Sequence, residues 1–226
     1  MRPAAPDGGL DALLADPRLW RGAGGPTPRS SIPSGHAALD RALGGGWPRG
    51  VVCELTLAQA GCGELGLLLP VLRQLAGRSA WIAPPHLPYP PALAAAGIAL
   101  TQLLLIEAPD RAQAQWAAEQ SLRSGACAAV LLWLPSISAR AVRRLQLAAA
   151  ASGSFMALLL PPDGIPANSP AALRVQLAPA PQGIAVHVHK RPGGWPAAPL
   201  VVEYPSGVVA GPVSAGVGAR GAAGRG

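Results

Sequence analysis

The run Ala58-Gln59-Ala60-Gly61-Cys62-Gly63-Glu64-Leu65 is where this sequence comes nearest to a chemical site. It follows a compact apolar stretch at residues 51–57 and precedes a helical pattern at residues 64–75, so it is a small-residue loop between a strand and a helix. That is the setting of a phosphate-binding loop. Glycines let backbone N–H groups close on the phosphate, a lysine neutralises charge, and a hydroxyl holds magnesium. Here Ala58 stands at the first glycine, Gly61 and Gly63 remain within the loop, Glu64 takes the lysine position and Leu65 the hydroxyl position. A carboxylate in the first helical turn gains about 0.3–1 kcal/mol from the helix dipole. In that place it also repels phosphates, and exchanging +1 for −1 beside an anion changes the interaction by several kcal/mol. Two other parts are absent. Residues 128–134 end in Trp133-Leu134-Pro135 with no Asp for a magnesium water. Residues 79–83 run into Pro84-Pro85-His86 with no carboxylate to activate water. The expectation is a degenerate loop that does not bind ATP, in a chain that needs no cofactor and is not an enzyme.

Other reactive side chains are sparse. Cys53, Cys62 and Cys127 are odd in number, lie in apolar settings and lack CxxC spacing, which suits reduced, buried thiols of a cytosolic protein. Cys62 opens a helix, where a thiol pKa can fall, but Glu64 pushes it the other way. His187 and His189 alternate with valines and share one side of a strand, yet no Cys, Asp or Glu nearby in sequence completes a metal site. His86 reads as a turn residue. Tyr89, Trp81 and Trp133 lie at or just beyond strand ends, where packing of an empty crevice or stacking on bases would both suit them.

Charge is the remaining lead. The 226 residues carry a net charge of +7, with Lys190 the only lysine. Residues 122–192 hold Arg123, Arg140, Arg143, Arg144, Arg174, Lys190 and Arg191 against the single acid Asp163. Arg140, Arg143 and Arg144 on a helix face, and Lys190 and Arg191 at a strand end, are candidate contacts for DNA phosphates or an acidic partner; a solvated face is the alternative.

The elements that must position these groups follow from patterning. Half the residues are apolar and 13% are charged, with 28 Gly and 26 Pro, which excludes a wholly disordered chain. The longest apolar runs are too short to span a bilayer, and Met1–Gly9 has no apolar signal region, so a soluble, cytoplasmic protein is expected. Strands are read at 51–57, 79–83, 103–106, 128–134 and 155–160, alternating with helices at 35–43, 64–75, 91–97, 111–124 and 138–151. Strands apolar throughout imply a parallel sheet covered on both faces, an α/β three-layer sandwich. Residues 174–177 and 184–189, around Pro181-Gln182-Gly183, read as a β-hairpin at the sheet edge. Residues 1–33 form an N-terminal helix and flexible linker in which Leu13, Leu14 and Trp20 are candidate partner-docking residues. Residues 34–204 form the core, and 205–226 a disordered tail.

The opening Ser34-Gly35-His36-Ala37-Ala38-Leu39-Asp40-Arg41-Ala42-Leu43-Gly44-Gly45-Gly46-Trp47-Pro48-Arg49-Gly50 resembles that of RecA-family recombinase cores. With Gly61–Leu65, Trp81–Tyr89, Trp116–Cys127 and Leu145–Ala149, the chain is similar to the ImuA family of translesion-synthesis accessory proteins over residues 10–204. The resemblance implies a RecA-like core that lost its ATPase and acts by binding in the SOS response. Its implied partners are an ImuB-like inactive Y-family polymerase homologue, an error-prone replicative-type DNA polymerase and in some members RecA. It also implies that the Arg140–Arg144 face follows the strand from which recombinases emit a DNA-contacting loop. ImuA-like chains share descriptions with the SulA division inhibitors, which makes binding to the division GTPase FtsZ the alternative. A nucleotide- or DNA-binding RecA-like module is a further one.

Overall fold

The computed structural model describes residues 30–203. A two-residue strand β1 (Ser31–Ile32) pairs antiparallel with β2 (Trp47–Pro48) around helix α1 (Ala37–Leu43). Then follow β3 (Val52–Leu57), α2 (Glu64–Leu72), β4 (Arg78–Ile82), α3 (Pro90–Ala95), β5 (Leu103–Ile106), α4 (Arg111–Arg123), β6 (Cys127–Trp133), α5 (Ala139–Ser152) and β7 (Phe155–Leu160). Three further strands follow among the described residues, antiparallel to one another: β8 (Leu173–Ala180), β9 (Gly183–Lys190) and β10 (Leu200–Glu203). The main sheet has eight strands in the order β10-β9-β8-β3-β7-β6-β4-β5, parallel from β8 to β5.

Alternation along each strand sorts the core onto two faces. Cys53, Leu55, Trp81, Leu131 and Leu159 meet Leu39, Leu67, Leu68 and Val71 on the α1–α2 side. Val52, Ile82, Val130, Leu132 and Leu158 meet Ala114, Ala118, Leu122, Val142 and Leu145 of α4 and α5 on the other. The helices that cover the second face begin with ordinary caps. The Asp110 carboxylate accepts the Gln113 N–H at 2.8 Å, and the Ser138 hydroxyl accepts the Ala141 N–H at 3.3 Å. The expected α/β organisation is present, with a mostly parallel central sheet and a C-terminal antiparallel extension.

Four details differ from the sequence reading. Ile32, assigned there to the linker, is buried and pairs with Trp47. Helix α2 stops at Leu72 rather than 75. Pro70 lies in its last turn, and tighter bonds from Gln74 N–H to Val71 O and Leu75 N–H to Leu72 O close it. Gly183 does not turn the hairpin. The connection is Pro181-Gln182, and Gly183 is required because a Cβ there would collide with the Val202 carbonyl of β10. That third antiparallel strand was not read at all. The proposed N-terminal helix with Leu13, Leu14 and Trp20, and the tail from 205, lie outside the described residues.

The sheet's central strand carries a charge. Glu54 is fully buried on β3, on the α4–α5 face, accepting a hydrogen bond from the Ser169 hydroxyl and 2.7 Å from the Arg174 Nε of β8. Removing one member of such a pair strands a buried charge. Arg174→Ala is expected to lower unfolding free energy by roughly 3 kcal/mol, while replacing both residues with methionine recovers most of the loss. Urea denaturation of the two variants checks this, and equal losses in both would refute it.

Candidate functional site

The carboxyl ends of β3, β4, β6 and β7 and the first turn of α4 enclose a crevice of about 460 Å³. This is the edge where open parallel sheets bind ligands. Its walls are Leu57, Ala60, Trp133, Leu134 and Leu159, with Gln59, Asp110 and Arg111 at the rim. The two rim charges are engaged: Asp110 caps α4, and an Arg111 guanidinium nitrogen donates to the Ser136 hydroxyl at 2.6 Å. Trp81 is fully buried and Trp133 nearly so, their rings 5.9 Å apart and tilted by 49°. Both rings pack in the cluster on the α2 side of the sheet, and Trp133 also lines the crevice. Tyr89 is 70% exposed and stands away from this packing.

Residues 58–63 join β3 to α2 as an open loop. Gly61 and Gly63 adopt positive φ angles of 71° and 100°, conformations a side chain would resist. Gly63 caps α2, and Glu64 begins it with its side chain folded inward, 4% exposed. One carboxylate oxygen, Oε2, has no hydrogen-bond partner. Leu65 packs against the core and supplies no hydroxyl. Burial first, and the Glu64 charge next, push the neighbouring Cys62 thiol up to about 12. The loop thus places a buried carboxylate at the first turn of α2, at the position a lysine takes in a phosphate-binding loop. Burial also raises the Cys53 and Cys127 thiols.

The basic residues of the second half are largely spent inside the molecule. Glu119 on α4, 9% exposed, binds Arg123 at 3.0 Å and Arg144 of α5 at 3.1 Å. Arg174 holds Glu54, and the Lys190 ammonium donates to the Ala171 carbonyl at 2.7 Å. Arg191 donates to the Trp195 carbonyl at 2.9 Å and to the Arg41 carbonyl at 3.4 Å. Arg140 and Arg143, one turn apart on the exposed side of α5, are in no ion pair among the described residues. His187 and His189 face away from the valine core with ring centroids 4.1 Å apart, and His189 bonds Gln176 at 3.0 Å. Burial first, then His187 and Arg174, hold His189 below the usual imidazole range. No cluster of three or more metal-ligating side chains occurs among the described residues. Sequence reasoning passed over Glu54 and Glu119. Each had a visible signal, an acid inside an apolar stretch and an acid four residues before an arginine.

A family model described as "Cell division inhibitor SulA" matches residues 50–157. A curated relative, the "Cell division inhibitor SulA" of Edwardsiella piscicida, is 38% identical over 101 residues, covering 43% of this chain and 60% of that protein. The chain thus spans about 60% of the length of the relative it matches. The matched segment runs from the approach to β3 into β7, taking in the loop after β3, the three arginines of α5 and all but one strand of the parallel half. Residues 50–157 are SulA-like, which favours the alternative raised from the sequence; the ImuA assignment gains no support from either match. No helix among the described residues is long and apolar enough to cross a membrane.

The loop geometry fixes the behaviour of its thiol. In a Cys53→Ala/Cys127→Ala background, Cys62 is expected to react with a disulfide reagent at pH 8 about a thousandfold more slowly than free cysteine. Adding Glu64→Gln removes the negative charge, lowers the thiol pKa and speeds the reaction. A rate unaffected by Glu64→Gln would contradict this electrostatic account.

Proposed function

We propose that this chain is a SulA-like division inhibitor that acts in the cytoplasm by binding, without catalysis, to the division GTPase FtsZ during the DNA-damage response. The observation that carries the reading is the SulA match over residues 50–157, the stretch that builds most of the parallel sheet. The fold suits it. Strand order β5-β4-β6-β7-β3, with helices on both faces, supports a RecA-like sandwich, and the buried Glu64 supports the loss of that fold's nucleotide chemistry. What remains is a rigid body with surfaces. Arg140 and Arg143, exposed and in no ion pair among the described residues, supply the docking charge toward an acidic partner.

Two measurements test the reading. Purified chain added to FtsZ and GTP is expected to reduce both sedimentable polymer and phosphate release. Unchanged polymerisation, with recovery of an ImuB-like polymerase homologue or RecA from DNA-damaged cells, would overturn it in favour of the translesion role. The second concerns the contact. Arg140→Glu/Arg143→Glu is expected to weaken inhibition by about tenfold and to flatten its dependence on salt. Inhibition untouched by that reversal would place the contact on another face.

A further inference from the structure

The amino ends of β4 and β6, at the other end of the sheet from the crevice, frame a smaller cavity of about 130 Å³. Its walls come from the end of α2, from Gly77-Arg78-Ser79, from Gly97 and Gln102 before β5, and from Ala128 and Ala129. Four donor side chains line it: Arg73, Arg78, Ser79 and Gln102. Among the described residues none of these side chains is in an ion pair or a hydrogen bond. That separates Arg73 and Arg78 from Arg111, Arg123, Arg144, Arg174 and Arg191, whose guanidinium groups are engaged by protein acceptors. No acid lines the cavity, and none occurs between Glu64 and Glu107 or between Glu119 and Asp163, the two stretches that build it. The carboxyl end of α2 brings about half a negative charge, less than either guanidinium offsets.

The backbone is shaped around this hollow. A register shift falls between Arg78 and Ser79, which pair with Cys127 and Ala129 and leave Ala128 over. Such bulges re-aim side chains, and here consecutive residues of one strand border the same cavity. The Arg73 Cδ lies 3.8 Å from where a Cβ on Gly97 would stand, so its stem crosses from α2 toward the turn before β5.

We propose that this cavity binds a phosphate dianion, as the free ion or as the end of a small phosphomonoester. Three features select that ligand. Two guanidinium groups match the charge of about −1.5 to −2 that a phosphate group carries at pH 7, whereas a carboxylate would leave one uncompensated. Arginine forks donate in pairs to phosphate oxygens, and the Ser79 O–H and Gln102 N–H remain for the others. The volume lies below the roughly 300 Å³ at which pockets take drug-sized molecules, so the group enters without a nucleoside. The site is separate from the loop after β3 and does not rest on the division-inhibitor reading.

Titration of the full chain with inorganic phosphate and with phenyl phosphate, at constant ionic strength and followed by amide NMR shifts, tests this. The expected result is saturable binding, on the order of 1 mM or tighter, with the shifts centred on residues 73–79, 97–102 and 128–129. Arg73→Gln and Arg78→Gln each weaken it at least about fivefold, and Gln102→Glu, which puts a carboxylate into the cavity, abolishes it. Arg41→Gln removes another exposed charge, on α1, and leaves binding unchanged. All four positions are exposed, so the urea midpoints of these variants stay at that of the parent chain. Lowering the pH from about 7.5 to about 5.5 weakens phenyl phosphate, which passes through its second pKa near 6 to the monoanion. Tighter binding of phenyl phosphate points to an ester end as the ligand, and tighter binding of inorganic phosphate to the free ion. Absence of saturable binding by either overturns the proposal. So does binding that survives in Arg73→Gln/Arg78→Gln.

Discussion

The pairing of Glu54 with Arg174 joins the two halves of the molecule. Strand β3 stands between them, parallel to β7 on one side and to β8 on the other, and β8 begins the antiparallel extension. An acid buried in the middle of the sheet tolerates only a register that brings the Arg174 guanidinium and the Ser169 hydroxyl to it. Sliding β8 by one residue would turn Arg174 to the opposite face and leave the carboxylate without its partner. The approach to β8 is therefore fixed by charge, while the strands of the parallel half are fixed by apolar packing. Gln146 of α5 extends the same logic to the start of β3. Its side chain accepts the Val52 N–H at 3.0 Å and donates to the Gly50 carbonyl at 3.4 Å, standing in for a strand partner.

A second carboxylate sets the electrostatics of the loop after β3. Strand, glycine-bearing loop and helix N-terminus remain in the arrangement that suits an anion, yet the positive end of α2 meets its own Glu64. The helix dipole is satisfied from within, and Cys62 beside it is held as a neutral thiol.

The parallel half was legible because its strands are mostly apolar and its helices carry a clear face; each boundary fell within a few residues of the pattern. The turn after β3 was legible as a loop between a strand and a helix, with Glu64 opening that helix. Three things were not. Leu200–Glu203 is four residues after a run containing Pro196 and Pro199, too short to show a period, and its pairing with β9 arises from tertiary contact. The basic half looked available because charge counting ignores partners. Glu119 lies just before the counted stretch and consumes two of its arginines, and Glu54 consumes a third from 120 residues away. The exposed edge at Leu104 and Leu105 escaped notice because an edge strand and a central strand read alike until the sheet order is known.

That order also governs how the chain comes to be folded as it is made. Among the described residues β3 is the first long strand to leave the ribosome, but its neighbours are β7 and β8, about 100 residues later, so its contacts are among the most distant in the sheet. At ordinary translation speeds of about 5–20 residues per second, the segment Val52–Leu57 waits on the order of 5–20 seconds for a partner. During that interval an apolar strand with a lone carboxylate is open to chaperones, to proteases and to other nascent chains. Supply of the finished protein is thereby tied to the quality-control capacity of the cell at the moment of synthesis.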